Sequence, residues 1–359
     1  MKQFPCQTKM ISQDFPITLL KKWYLENRRI FPWRGSPTPY EVLVSEFMLH
    51  QTGASVVIPY FERWMKRFPT LQALSEASKE EVIKAWEGLG YYARARNLHT
   101  AAITLMQEFK GMIPDRREDL LKIKGIGPYT VGAILSFAFK KKAAAVDGNV
   151  QRVLSRYFLI EEDLGKSLTR KKIWEIAENL LPEEESWIIT EGLIELGAMI
   201  CTSTPKCLSC PLKQSCQAFH LKKTKDIPFK TKKITITPLI RFVAIIECEE
   251  FLLLREEKEK IMRDLFEFPY LDCSRREFLT EDIKSRFEKK LGLSLTLKTT
   301  LPPLQQFFTR YRADLFPFCF STSQKKPVEE YMWISKGQME SLPFSSGHRK
   351  IWRKLSSFF

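Results

Sequence analysis

Leu120–Ala138 reads LLKIKGIGPYTVGAILSFA. Apolar residues recur at helical spacing on both sides of Gly125-Ile126-Gly127, which predicts two helices joined by a tight glycine turn. Pro128 suits the first position of the second helix, where its missing N–H leaves no bond unmade. Two glycines let the backbone approach a ligand closely, and the free amides of a helix start favour an anion there. Further on, Val146-Asp147-Gly148-Asn149-Val150 places a carboxylate in a tight turn just before another helix. Asp-Gly by itself signals only a turn. Beside this hairpin, Asp147 becomes a candidate active-site carboxylate.

The hairpin is the helix–hairpin–helix pattern, a sequence-independent grip on DNA phosphate, with Gly125 and Gly127 as the points of backbone approach. The charge balance agrees: 57 Lys and Arg against 42 Asp and Glu give a net charge of +15 over 359 residues. Such a surplus favours a polyanionic partner, nucleic acid before anionic membrane, although a solvated basic surface has the same composition. Hydrophobic content of 44% with 28% charged residues is that of a folded protein, and the length suits about two domains. The longest apolar stretches, such as Val131–Phe139, are too short to span a bilayer. The start, MKQFPCQTKMISQDF, lacks the apolar run of a secretory signal. The expected location is therefore cytoplasmic, beside the nucleoid in a bacterium.

Up to about residue 220 the apolar spacing is helical, as in Pro59–Phe68 (PYFERWMKRF) and Arg170–Leu181 (RKKIWEIAENLL). Trp187–Ile200 is apolar nearly all round except for Glu191 and Glu195, so a buried helix is expected whose carboxylates face something that needs them. Residues 221–236 are rich in lysine and are expected to form a mobile basic linker. Beyond it, ITPLIRFVAIIE and FLLLR have strand character, Leu279–Leu291 helical character, and the runs around Phe307–Phe320 and Tyr331–Ile334 look extended. The order is all-α for residues 1–220, then linker, then α+β for 237–359.

Cys201, Cys207, Cys210 and Cys216 stand as C-x5-C-x2-C-x5-C directly after the apolar helix. Four thiolates this close can surround Zn2+ or a 4Fe–4S cube. Zinc sites usually use two C-x2-C knuckles, and only one is present, so the cube fits better. Cys6, Cys248, Cys273 and Cys319 are scattered and read as structural or incidental.

Hairpin, Asp147 and cysteine loop together resemble the endonuclease III superfamily of DNA glycosylases. Further strings resemble its adenine DNA glycosylase (MutY) family: Phe31-Pro32-Trp33-Arg34, Ser45-Glu46-Phe47-Met48-Leu49-His50-Gln51-Thr52, and Trp86 to His99 (WEGLGYYARARNLH). The resemblance is dense from about residue 16 to 217 and looser beyond. It implies an all-α helix–hairpin–helix glycosylase domain with a 4Fe–4S loop, followed by an α+β Nudix-like domain that inspects 8-oxoguanine. It also implies a monomer acting on duplex DNA with A:8-oxoguanine or A:G mispairs.

By the same resemblance, Glu46 protonates adenine N7 and later activates water, Asp147 stabilises the sugar cation or traps it covalently, and Asn149 holds Asp147 and the water. Glycosidic cleavage through an oxocarbenium-like state asks for one protonated and one ionised carboxyl group. Burial beside Phe47, Met48 and Leu49 is expected to raise Glu46, and an exposed turn to keep Asp147 charged. Wedging into the duplex falls to Gln51 and Tyr91, and the adenine pocket to Trp33, Arg34, Leu49 and Glu191. Tyr129 stands where bifunctional relatives carry a Schiff-base lysine, which implies hydrolysis without efficient strand cleavage.

In the C-terminal part, Phe266-Glu267-Phe268-Pro269 resembles the family's WEFP string, and Phe308-Thr309-Arg310 takes the place of its F-S-H loop. The carboxylates of a Nudix hydrolase box are missing before Gly292. The chain departs from the family in a first cysteine gap of five residues rather than six. His50, Thr309 and Arg310 replace the usual Gln, Ser and His. Competing readings are an enzyme for oxidised pyrimidines, which Tyr129 and the C-terminal part oppose, a non-catalytic DNA-binding iron–sulfur protein, which has no need of Glu46 with Asp147, and a Nudix phosphohydrolase.

Overall fold

A computed structural model describes residues 15–231, 235–259, 261–274 and 279–356; Cys6 lies outside the described residues. Two compact units form, and they do not follow chain order. One holds residues up to Ser75 together with Thr100–Lys233, and the other holds Glu76–His99 together with the chain from Ile234 onward.

In chain order the α-helices before the sheet are α1 (Ile17–Asn27), α2 (Pro39–Leu49), α3 (Ala54–Arg67), α4 (Leu71–Glu76), α5 (Lys79–Ala85), α6 (Ala93–Glu108), α7 (Arg117–Leu120), α8 (Pro128–Ala133), α9 (Gly148–Tyr157), α10 (Ser167–Leu180), α11 (Ser186–Met199) and α12 (Gln217–His220). α2 starts at a capping box: the Thr38 hydroxyl accepts from the Glu41 amide while the Glu41 carboxylate returns to the Thr38 amide, with Pro39 at the first helical position. The helix before the glycine turn is shorter than its periodicity predicts, four residues followed by turns through Gly125. α8 runs directly into a π-helical turn, Ile134–Ala138. The core of this unit joins Leu20 of α1, Val150, Val153 and Leu154 of α9, Ile173 and Ile176 of α10, and Ile189, Leu193 and Leu196 of α11. The all-α expectation holds. No helix among the described residues is long and apolar enough to cross a membrane.

The expected mobile linker is bound over most of its described length. Ile227 is buried, its carbonyl accepts from Arg156 Nε at 2.7 Å, and the Phe229 carbonyl accepts from the Leu164 amide at 3.0 Å. Buried Ile227, met by a buried guanidinium, helps dock the segment, together with Lys223 on Glu161 and Thr231 on Asp163. Lysine content reported its solubility and missed that anchor.

The second unit is built on an eight-stranded sheet of β1 (Thr237–Cys248), β2 (Phe251–Glu256), β3 (Phe266–Glu267), β4 (Tyr270–Cys273), β5 (Thr296–Thr300), β6 (Leu304–Phe308), β7 (Tyr311–Ser321) and β8 (Met332–Ser335). β1 and β7 run parallel at its centre, in register from Thr237↔Tyr311 to Glu247↔Ser321; the other pairs are antiparallel. Alternate residues of β1 enter two cores. Val243 and Ile245 face Phe344, Ile351 and Trp352, the last two on α14 (Ser346–Ser356), while Phe242, Ala244 and Ile246 face Ile283, Phe287 and Leu291 of α13 (Thr280–Leu291). Pro317 interrupts the centre of β7 at little cost. β6 pairs with β7 up to Leu315 and β5 from Phe318, so Pro317 falls in the gap between them. The α+β expectation holds.

The segment Glu76–His99 is tied into this unit by charge. Arg349, 5% exposed, donates to Glu87 from Nε at 2.6 Å and from Nη2 at 3.2 Å. Lys84 bridges Glu87 at 2.8 Å and the Leu342 carbonyl at 2.9 Å, and Lys79 and Arg96 pair with Asp264 at 2.9 and 3.3 Å. Packing thus cuts the expected 1–220 domain at this segment, because its charged side chains find their partners beyond residue 260.

Candidate active site

A cavity of about 820 Å3 opens in the first unit. Its walls gather Trp33, Arg34, Glu46, Leu49, Gln51, Tyr129, Asp147, Asn149 and Glu191, nine of the residues singled out from sequence.

Glu46 comes from the last turn of α2, among residues buried nearly all round. It is 6% exposed, and burial pushes its carboxyl up to about 7. A hydrogen bond from Tyr129 and the charge of Arg34 oppose that rise, and the charge of Asp147 adds to it. Oε2 is buried with no hydrogen-bond partner, which in an ionised carboxylate is costly and in a carboxylic acid much less so. Tyr129 sits in the first turn of α8, and its own burial holds the phenol well above its ordinary range, so it keeps its proton and acts as a hydrogen-bond donor.

Asp147 is the N-cap of α9. Its Oδ1 accepts from the Val150 amide at 2.8 Å and its Oδ2 from Asn149 Nδ2 at 2.7 Å. The expectation of an exposed turn needs correction: the residue is half-buried, and burial raises its carboxyl. What favours its ionised form is the cap itself, meaning these hydrogen bonds and the nearby charge of Arg152. Arg152 also bonds Asn149 Oδ1 and the Gly197 carbonyl, both at 2.8 Å, and the Cys201 carbonyl at 2.7 Å. An added Cβ on Gly197 meets Asn149 Cβ at 2.6 Å, so the start of α9 rests directly on α11.

Glu191 accepts from the Tyr24 hydroxyl, and burial followed by the charge of Glu195 pushes it up to about 8. Trp33 stacks on Phe31 at 5.1 Å and meets the Phe61 ring edge-on at 5.3 Å, forming an aromatic wall. Sequence reasoning missed Tyr24, Arg29 and Arg152 and left Glu195 without a partner. Glu195 alone carried a signal, as a charge on an otherwise apolar helix.

Other singled-out residues lie away from this cavity. Tyr91, Thr309 and Arg310 line a second one of about 520 Å3 with Ile261 and Tyr311 in the second unit. Phe308 packs its ring 5.4 Å from Tyr311, while its neighbour Phe307 is 64% exposed. Gln51, Tyr91 and Thr309 all hold left-handed backbone (φ 65°, 48° and 48°), a conformation that costs free energy in non-glycine residues and often accompanies function. Gly125 (φ 93°) makes the left-handed turn of the hairpin, and Gly127 is the uncapped N-cap of α8. Cys201, Cys207, Cys210 and Cys216 line one small pocket with Arg156, whose Nη1 lies 3.4 Å from Cys201 Sγ. Among the described residues no His, Cys, Asp or Glu group is drawn together as for a single metal ion.

Residues 44–179 match the HhH-GPD superfamily of base excision DNA repair proteins. Over 254 residues the chain is 37% identical to the adenine DNA glycosylase of Buchnera aphidicola subsp. Acyrthosiphon pisum, covering 70% of this chain and 73% of that one. Against the human adenine DNA glycosylase it is 40% identical over 209 residues, 55% of this chain and 38% of the relative. Among solved structures, a thermostable thymine-DNA glycosylase superposes with a TM-score of 0.52 at 29% identity, covering 60% of this chain and 97% of its own. On the match of residues 44–179 and the relative matched over 70% of this chain and 73% of its own, the chain belongs to the adenine DNA glycosylase family of base-excision repair enzymes, within the HhH-GPD superfamily.

Proposed function

We propose that the enzyme removes adenine mispaired with 8-oxoguanine or guanine by hydrolysing the N-glycosidic bond, without cleaving the strand. The observation that carries this reading is the pairing of Glu46, buried and raised to about 7, with Asp147, capped by amide and Asn149 donors, on one cavity. Protonated Glu46 gives its proton to adenine N7, so the electron pair of the breaking C1′–N9 bond leaves with a neutral base. Ionised Asp147 faces the oxocarbenium-like sugar. Glu46, now a carboxylate, takes a proton from the water that bonds to C1′, which restores the acid. Trp33, Arg34, Leu49 and Glu191 receive the extruded base, and Gln51 and Tyr91 fill the gap it leaves. Tyr129 has no amine to form a Schiff base, so no lyase step follows.

Gly125 and Gly127 offer backbone amides to a phosphate. Cys201, Cys207, Cys210 and Cys216 would hold a 4Fe–4S cluster, which when bound would cross-link the loop after α11. Phe308, Thr309 and Arg310 read the base opposite the adenine, with the Thr309 hydroxyl as a hydrogen-bonding group for it.

The test uses enzyme in excess over duplexes holding A opposite 8-oxoguanine, G or T, developed with and without alkali. Strand breaks at A:8-oxoguanine that require alkali, with A:T intact, are expected; breaks without alkali, or abundant borohydride-trapped adduct, overturn the monofunctional reading.

The pH profile gives a second expectation. Glu46 acts as an acid only while protonated, so the single-turnover rate falls as pH rises through about 7. The Tyr129 hydrogen bond lowers that carboxyl, and Tyr129→Phe removes it, so the fall moves to higher pH in the variant. An unmoved or lowered midpoint counts against the assignment.

A further inference from the structure

Two arginines and one carboxylate on the cavity wall form a unit in which Arg29 and Glu195 have no part in the proposed chemistry. Glu195, 1% exposed, accepts from Arg29 Nη2 at 2.7 Å and Nε at 2.9 Å, and from Arg34 Nη2 at 2.9 Å. Arg34 also donates from Nη1 to the Arg29 carbonyl at 3.0 Å, and both guanidinium groups lie over the Phe31 ring, at 4.9 Å for Arg29 and 4.8 Å for Arg34. We propose that Glu195 is a positioning residue: its buried carboxylate clamps Arg34 against Phe31 at the cavity wall and offsets part of its charge, so that Glu46 keeps its proton in an active site that also holds arginine.

The argument is one of sign. An uncompensated guanidinium beside an acid favours the ionised acid, and Arg34 pulls Glu46 in that direction. A base pocket needs Arg34 as a donor, whereas the acid needs its charge cancelled. A fully buried carboxylate bonded to the same guanidinium serves both needs. The remaining charged and titratable groups on this cavity are Tyr129 from α8, Asp147 and Arg152 from α9 and its cap, Glu191 from α11, Arg29 from the loop after α1, and His50 following α2.

The inference rests on Glu46 being the acid, and the experiment separates the two. Single-turnover adenine release is measured from pH 5 to 9 for wild type, Glu46→Gln, Glu195→Gln, Glu195→Asp and Arg29→Gln. Glu195→Gln should move the alkaline midpoint down by about one pH unit, roughly a tenfold loss on the alkaline side. Glu195→Asp, which keeps the charge, should restore most of the shift. Arg29→Gln leaves Glu195 wholly to Arg34 and should move the midpoint up, so it carries the test if Glu195→Gln does not fold. Rates lowered evenly at every pH, with midpoints unmoved, overturn the clamp and leave Glu195 a structural residue. A flat wild-type profile together with an active Glu46→Gln variant removes the acid assignment, and the clamp falls with it.

Discussion

Glu46→Gln lowers the single-turnover rate of adenine release by on the order of a thousandfold while duplex binding stays within a few-fold of wild type. The amide matches the carboxylic acid in size and still accepts the Tyr129 hydrogen bond. What it lacks is a proton it can surrender to adenine N7. Binding is spared because wild-type Glu46, raised to about 7, already spends much of its time uncharged near neutrality, so the variant presents DNA with almost the same field. Rapid-quench kinetics with enzyme in excess, alongside a binding isotherm on an uncleavable duplex, measure both quantities. A rate within tenfold of wild type removes Glu46 from the chemistry; a collapse of binding equal to the collapse of rate makes it a binding residue.

Gly132→Ala is the substitution expected to cost the most stability. Gly132 lies in α8, and a Cβ there falls 1.9 Å from the Ala144 carbonyl oxygen and 2.8 Å from its carbon. No rotamer change relieves a clash with backbone. The helix that carries Tyr129 and the segment that leads to Asp147 must separate, and both face the cavity. A loss of about 3 kcal/mol, beyond the ordinary range for one added methyl, is expected, with a fall in Tm of roughly 6–12 °C. Thermal unfolding followed by circular dichroism measures it. A variant that melts within about 2 °C of wild type shows that the segments have room to part.

Local chemistry explains what could be read before any coordinates. The Gly125–Gly127 turn, the cysteine spacing and the Asp-Gly cap are features in which neighbours in the chain determine the geometry. Burial of Glu46 followed from the apolar residues beside it on one helix. Partners far away in the chain were not readable. Glu195 stands 166 residues from Arg29 and 161 from Arg34, and nothing in periodicity says which cations a lone carboxylate on an apolar helix will meet. Asp147 was misjudged for a related reason: a turn signal reports backbone shape, and the depth of that turn is decided by the helices around it. Ile227 shows the same limit from the other side, since a few apolar residues scattered through a lysine-rich run carry no periodic pattern.

The pairing of Glu87 with Arg349 also sets a clock. The two residues are 262 positions apart. A ribosome adding about 5–20 residues per second needs on the order of 13 to 50 s to make the second after the first. Through that interval the segment that carries Tyr91 has been synthesised without the cation that ties its glutamate into the second unit. Contacts this distant are also slow to form once the chain is free. Glu87 is therefore among the last groups to find its partner, and until then the turn beside it is held by local bonds alone, from Trp86 and Arg94 to the Leu89 and Gly90 carbonyls.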